Sequence, residues 1–146
     1  METDRPYFEI NSDGNWIKVL ADGFSYPNSS DDYDSQWLKC YVDLKAGVFS
    51  ANYKAEFMTT DFRKFKKELG YLYEHLDRTV RFEGLEGYLN ITLKGDGIGH
   101  MEVFCEATER AGYQETTLSF YLDIDQTFIP KLIRQLDGIL GSFNKK

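Results

Sequence analysis

The sequence has little proline, histidine or cysteine: its 146 residues include 3 Pro, 2 His and 2 Cys. Two cysteines cannot form the dense disulfide framework of small secreted domains. Cys40 and Cys105 both fall on the apolar face of a predicted strand, so we interpret them as small buried hydrophobic side chains. His75 and His100 have no cysteine or histidine at metal-ligand spacing. The sequence therefore predicts neither a metal centre nor a cofactor site.

Long hydrophobic segments are also missing. A membrane-spanning helix needs about 18 or more consecutive apolar residues, and no such run occurs. The first ten residues, METDRPYFEI, contain no apolar segment of the length that a signal peptide requires. We therefore expect a cytoplasmic protein with no direct role at a membrane.

Basic residues are fewer than acidic ones: the chain has 17 Lys and Arg and 24 Asp and Glu, which gives a net charge of -7. A negative protein is repelled by the phosphates of nucleic acid, so we exclude nucleic acid as the direct partner and favour a basic protein. The length suits one hydrophobic core, which predicts a single domain over residues 1–146. A homo-oligomer is compatible with these properties.

Alternation of apolar and polar residues predicts a series of strands joined by short turns. The final strand, with apolar Leu118, Phe120, Leu122 and Ile124, runs directly into a helix. The predicted strands are residues 7–11, 16–21, 37–45, 48–58, 79–83, 88–94 and 100–109, and one that begins at residue 116. Short connections of this kind produce antiparallel pairing.

Two segments have helical spacing instead. The first helix is predicted to begin at a Thr60 cap and to bury Phe62, Phe65, Leu69, Leu72, Tyr73 and Leu76. The second is predicted to begin at a Thr127 cap, with Pro130 at its third position, and to bury Ile129, Leu132, Ile133, Leu136 and Leu140. The fold class is therefore α+β, a single, mainly antiparallel sheet domain with two amphipathic helices and no internal sequence repeat.

Glycine inside the first helix calls for a separate explanation. Gly70 should cost about 1 kcal/mol relative to alanine in a helix interior, so we expect it to allow close packing against the sheet.

No catalytic constellation can be recognised. The glycines at positions 95, 97 and 99 resemble a phosphate-binding loop, but a strand follows them where such a loop requires a helix, so a hairpin turn is the better interpretation. A Gly-x-Ser-x-Gly motif is absent, and no nucleophile is paired with a base. The acidic residues 31–34 lack the glycine and glutamate of a calcium-binding EF-hand loop. The sequence therefore predicts a protein that is not an enzyme.

Aromatic residues on the strand faces opposite the predicted core are the most unusual feature. They alternate there with charged residues, and the polar segment 23–35, rich in turn-forming residues, forms the longest predicted loop. Aromatic side chains among charges are typical of a protein interface. A second layer, formed by a helix or by the N-terminal hairpin, would explain them equally well. The candidate partner-binding residues are Asp31, Asp32, Asp34, Trp37, Tyr41, Glu102, Phe104 and Glu106.

Several stretches together resemble the WapI-type immunity family. The stretches are residues 33–38, 49–51, 57–60 and 99–100, and the closing segment Asp125-Gln126-Thr127-Phe128-Ile129-Pro130 with Leu132-Ile133 and Gln135-Leu136. Members are small bacterial proteins encoded beside contact-dependent, polymorphic toxins, and they protect the producer from the toxin's C-terminal domain. The resemblance implies neutralisation of a cognate toxin, plausibly a nuclease, by stoichiometric binding. The matching residues are explained by capping and core packing, so they indicate the fold and not the interface.

Two other hypotheses remain open at this point. The first is a non-enzymatic sensor or scaffold domain that binds another cytoplasmic protein through the same surface. The second is a hydrolase with dispersed carboxylates, which would require a concave pocket that holds carboxyl groups with shifted pKa values.

Overall fold

The computed structural model describes residues 5–144. Four strands and a helix are followed by four more strands and a second helix. The elements are β1 (Tyr7–Ser12), β2 (Asn15–Phe24), β3 (Trp37–Ala46), β4 (Phe49–Met58), α1 (Thr59–Glu74), β5 (Thr79–Glu83), β6 (Leu89–Gly95), β7 (His100–Glu109), β8 (Thr116–Asp125) and α2 (Ile129–Ser142). One-turn 3-10 helices at Asp34–Gln36 and Gln126–Phe128 precede β3 and α2.

The strands form two antiparallel sheets, each in sequence order. The first sheet has the order β1-β2-β3-β4 and the second sheet the order β5-β6-β7-β8. The predicted α+β class is confirmed, with two sheets. The structure also contains a topological repeat: each half of the chain is a four-strand meander followed by a helix. The sequence did not predict this repeat.

Both sheets and both helices contribute to one hydrophobic core. The inner faces of the strands alternate as predicted except at the start of β4, where Phe49, expected on the inner face, is 61% exposed. The fully buried helix residues are Phe62, Phe65, Leu69 and Leu72 of α1 and Ile129, Leu132, Leu136 and Ile139 of α2. Tyr73 is 48% exposed, so its predicted burial is wrong. Ile139 occupies the inner position in the last turn of α2, and Leu140 is only partly buried against the core.

Both predicted helix caps are wrong. Helix α1 begins at Thr59, one residue before the predicted Thr60 cap, and the side chain of Asp61 accepts a hydrogen bond of 2.9 Å from the Met58 N–H. At the other junction Asp125 is the capping residue. Its Oδ1 accepts hydrogen bonds from both the N–H and the hydroxyl of Thr127, so Thr127 is the donor. A 3-10 turn then intervenes, and α2 begins at Ile129.

Residues 95–99 form the predicted hairpin turn between β6 and β7. The Asp96 Oδ1 accepts hydrogen bonds from the N–H groups of Ile98 (2.8 Å) and His100 (3.1 Å), which closes the turn. Gly95 is buried against the end of α1: a β-carbon there would lie 2.0 Å from the carbonyl oxygen of Leu76. Only glycine fits this contact.

The two cysteines are free and buried, as predicted. Burial raises the pKa of the Cys40 thiol far above its usual value and that of Cys105 to about 12, which keeps both sulfurs protonated and unreactive. The expectation for Gly70 is wrong, because a β-carbon there would have no atom of another residue within 4 Å.

We predict opposite effects for two glycine substitutions. Gly95→Ala should lower the free energy of unfolding by about 2 kcal/mol or more, because the new methyl group overlaps a backbone carbonyl. Gly70→Ala should raise it by about 1 kcal/mol, because alanine is the better helix former and the site is open. Urea unfolding measures both, and equal losses of stability would contradict the distinction.

We predict that Asp125→Ala destabilises the protein more than Thr127→Ala, because the first change removes both hydrogen bonds and the second only the hydroxyl bond. The bonds from Thr127 lower the pKa of the Asp125 carboxyl. Its stabilising effect should therefore be complete above the ordinary aspartate pKa of about 3.9 and be lost as the pH falls through the lowered value. Unfolding midpoints measured against pH test this, and equal losses for the two variants would contradict it.

Candidate functional site

The acidic part of the candidate site lies in the long loop (residues 25–33) and the 3-10 turn that follows it. Asp31 stabilises this segment: its Oδ1 accepts hydrogen bonds from the N–H groups of Tyr33 (2.7 Å) and Asp34 (3.1 Å). Asp31 and Asp32 are exposed, and Asp34 is half-buried. The loop therefore presents carboxylates from a fixed backbone.

Trp37 is not on an open surface. It is the first residue of β3, its side chain is only 6% exposed, and the ring of Tyr33 packs edge-on against it with 6.1 Å between the centroids. The backbone of Ser25 also bonds to Trp37, at 2.9 Å. The exposed position expected for Trp37 is therefore wrong, because the long loop covers it.

Tyr41 lies farther along β3 on the outer face of the first sheet, where it is half-buried. It borders a cavity of about 390 Å³ with two basic and two acidic neighbours, Lys39, Lys54, Asp22 and Glu56. Since these charges balance, the cavity does not favour a ligand of either sign.

The other three candidate residues lie on β7, on the outer face of the second sheet. The ring of Phe104 packs against that of Tyr121 with 4.9 Å between the centroids, and Tyr121 is 62% exposed. Glu102 and Glu106 flank Phe104 along the strand, on the same face. This surface combines the exposed ring of Tyr121 and the half-buried ring of Phe104 with two carboxylates, and Lys94 of β6 lies directly opposite Glu102.

The candidate residues thus form two groups. Asp31, Asp32, Asp34, Trp37 and Tyr41 belong to the first sheet and its loop, whereas Glu102, Phe104 and Glu106 belong to the second sheet. Within residues 5–144, no hydrogen bond, ion pair or ring contact joins the two groups. The N-terminal hairpin, one candidate for a covering layer, is part of the first sheet itself.

Two residues of the second sheet border a cavity but were not among the predicted site residues. Glu83 and Asn90 lie in the same cross-strand row as Glu106 and, with it, border a cavity of about 280 Å³ on the outer face. Alternation along each strand could have placed them on this face. Their grouping depends on the register between three strands, which alternation does not specify.

A third cavity, of about 420 Å³, lies between the long loop and the start of α1. The hydroxyl-bearing residues that border it are Ser29, Ser30, Ser35 and Thr59, and Asp32 and Arg63 are the charged ones. No histidine lines it, so none of these hydroxyls has an imidazole base beside it. The Thr59 hydroxyl donates to the Gln36 side chain and the Ser35 hydroxyl donates to the backbone carbonyl of Asp32, so neither is hydrogen-bonded to a carboxylate.

The carboxyl groups with shifted pKa values have structural explanations. Burial raises the pKa of Asp61, which also bonds to the start of α1. Hydrogen bonds to backbone N–H groups lower the pKa of Asp96, and the Thr127 bonds lower that of Asp125. None of the three borders the cavities described above. Their shifts therefore do not identify a catalytic site.

His100 is the one histidine with acidic neighbours: its Nε2 lies 3.3 Å from Asp123 and its Nδ1 lies 4.0 Å from Asp96. Across the described part of the chain, no group of three or more His, Cys, Asp or Glu side chains is arranged to hold a metal ion. No helix between residues 5 and 144 is both long and apolar enough to cross a membrane.

Comparison with known structures shows the fold alone. The chain resembles one from "Crystal structures of trypanosoma bruciei MRP1/MRP2", with a TM-score of 0.50, 13% identity, and coverage of 96% of this chain and 87% of that one. A second similar chain comes from "Structure of a guideRNA-binding protein complex bound to a gRNA", with a TM-score of 0.49, 14% identity, and coverage of 94% and 90%.

Comparison with curated protein sequences gives no match. The model of the Immunity protein WapI-like family matches residues 8–144, from the second residue of β1 to beyond the end of α2. A match of this extent includes every strand and both helices, and it agrees with the resemblance found in the sequence. The chain belongs to the WapI-like immunity protein family.

Proposed function

We propose that this protein neutralises the C-terminal domain of a contact-dependent toxin by binding it in a stoichiometric complex in the cytoplasm of the producing cell. The match to the immunity family over residues 8–144 is the observation that carries the proposal. No chemical step is required, because an immunity protein can act by covering the surface on which its toxin depends.

The expected partner is a basic toxin domain, plausibly a nuclease. Enzymes that cut nucleic acid need positive surfaces, and a protein of net charge -7 is attracted to them. The exposed carboxylates of Asp31 and Asp32 and the neighbouring Asp34 would speed the encounter. The rings of Phe104 and Tyr121 would become buried in the complex and slow its dissociation.

The alternative function is a sensor or scaffold that binds a different cytoplasmic protein through the same surfaces. The neighbouring gene distinguishes the two, since an immunity gene should follow a long toxin gene with a variable C-terminal end. Calorimetric titration with the domain encoded by that end tests the proposal directly. A 1:1 complex that also abolishes toxicity in coexpressing cells is expected, and no binding would refute the immunity function.

We predict that association with this toxin domain depends on salt. The on-rate should fall steeply as ionic strength rises, because salt screens the attraction between opposite charges. The double variant Asp32→Asn, Asp34→Asn should bind more slowly at low salt and show a weaker salt dependence. Stopped-flow or surface-based kinetics at two salt concentrations measure both effects.

The matched control is Asp13→Asn with Asp77→Asn. It removes the same charge from exposed positions in the β1–β2 turn and after α1. We expect a smaller effect from the control pair. An on-rate that is independent of salt would contradict charge steering, and equal effects of the two pairs would exclude the long loop as its source.

A further inference from the structure

Two carboxylates and no basic side chain line a small cavity on the outer face of the second sheet, among the residues that the structure describes. Glu83, Asn90 and Glu106 stand side by side in one cross-strand row of β5, β6 and β7, and they border the cavity of about 280 Å³. With strands about 4.8 Å apart, the row spans about 10 Å. The cavity is slightly smaller than the usual small-molecule pocket of about 300–1,000 Å³, and it suits one side chain.

The row offers hydrogen-bond acceptors that have no donors. The Oδ1 of Asn90 is buried without a hydrogen-bond partner, which is unfavourable for a carbonyl removed from water. Glu106 is half-buried, and neither it nor Glu83 has an ion pair with any residue of the described range 5–144. The nearby hydroxyls of Thr108 and Thr117 bond to each other at 3.0 Å.

The topological repeat provides an internal comparison. β1, β2 and β3 correspond to β5, β6 and β7, and the row that corresponds to Glu83–Asn90–Glu106 is Glu9–Lys18–Asp43. In the first sheet the middle residue is a lysine between two carboxylates. In the second sheet the two outer residues, Glu83 and Glu106, are also carboxylates. The middle residue is Asn90, whose side-chain carbonyl has no hydrogen-bond partner. This row of the second sheet therefore lacks the lysine that the corresponding row of the first sheet contains.

Aromatic rings adjoin both rows. In the first sheet the Lys18 Nζ lies 4.2 Å from the centroid of the Tyr7 ring. In the second sheet Phe104, two residues from Glu106 on the same face, packs against Tyr121. Phe104 and Tyr121 lie in the neighbouring row of the same face and do not line the cavity, so they offer aromatic surface next to the site and not inside it.

We propose that the cavity formed by Glu83, Asn90 and Glu106 receives an arginine side chain of the protein partner. This inference rests on the proposed toxin-binding function and names the group by which the toxin domain is anchored. A guanidinium carries five donors in a planar fork, so it can bond to both carboxylates and, once the Asn90 side chain turns its amide toward the cavity, to that carbonyl as well, whereas an ammonium acts as a point charge.

The site can be tested with a probe that does not require the toxin. Isotope-labelled protein is titrated with N-acetylarginine amide and followed by NMR, in which the Asn90 side-chain amide reports directly. We expect saturable shifts at Asn90, Glu106 and Thr108. N-acetylcitrulline amide has a similar shape but no charge, and it should cause none. Equal responses to the two compounds would refute the proposal.

Substitutions in the cavity test whether the arginine probe binds there. Glu106→Gln should weaken binding of the arginine probe about tenfold, since it replaces a charge-assisted hydrogen bond by a neutral one. Asn90→Leu should also weaken binding of the probe and should raise the unfolding midpoint, because it removes a buried carbonyl without a partner. The matched control is Asp43→Asn, the corresponding position of the first sheet, and it should bind as the wild type does. A loss equal to that of Glu106→Gln, or a lower midpoint for Asn90→Leu, would overturn the assignment.

The same variants are then measured against the toxin domain encoded by the neighbouring gene. If the wild-type protein does not bind that domain, the immunity function fails, whatever the arginine probe shows. If the wild type binds and Glu106→Gln and Asn90→Leu bind equally well, only the anchor is refuted. We expect slower dissociation for the wild type and for Asp43→Asn than for the two cavity variants.

Discussion

The contacts among five buried phenylalanine rings hold the two halves of this protein together. Phe8 of β1 lies 5.2 Å from Phe82 of β5, and Phe57, Phe62 and Phe65 surround the pair at centroid distances of 5.1 to 6.3 Å. These rings come from both sheets and from α1. Aromatic side chains bury large areas and fix their neighbours by edge and tilted contacts, so the cluster sets how the sheets meet. The packing of this phenylalanine cluster therefore determines where the outer faces of the sheets, and the candidate sites on them, lie.

The two halves share a topology but not their surfaces. Since the inner positions must fill a common core, both sheets carry apolar residues there, from Leu38 and Cys40 in β3 to Met101 and Val103 in β7. The outer positions are free of that requirement. The first sheet is partly closed by the long loop over Trp37, whereas the second sheet exposes Tyr121 and Glu83. The two outer faces therefore differ in the side chains that they present.

The sequence predicted the structure best where burial imposes a regular spacing of apolar residues. It predicted least well where neighbouring residues could each play the same local role. Thr60 and Thr127 are good capping residues, yet Asp61 and Asp125 accept the hydrogen bonds at the two junctions. Both types of side chain can accept from backbone N–H groups, and the backbone geometry at each junction decides between them. Similarly, the helical pattern predicted close packing at Gly70, but Gly95 in the hairpin turn is the glycine that lies against a carbonyl group.

By itself the sequence determined the α+β class, the strands, the two helices, the buried cysteines and the family, because each depends on periodicity or on local residue patterns. Only the tertiary structure decided that there are two sheets, that the loop covers Trp37, and that the candidate residues divide between the sheets. It also brought Glu83, Asn90 and Glu106 into one row. These features arise from strand register and from packing between distant segments. The alternation of apolar and polar residues along a single strand specifies neither of them.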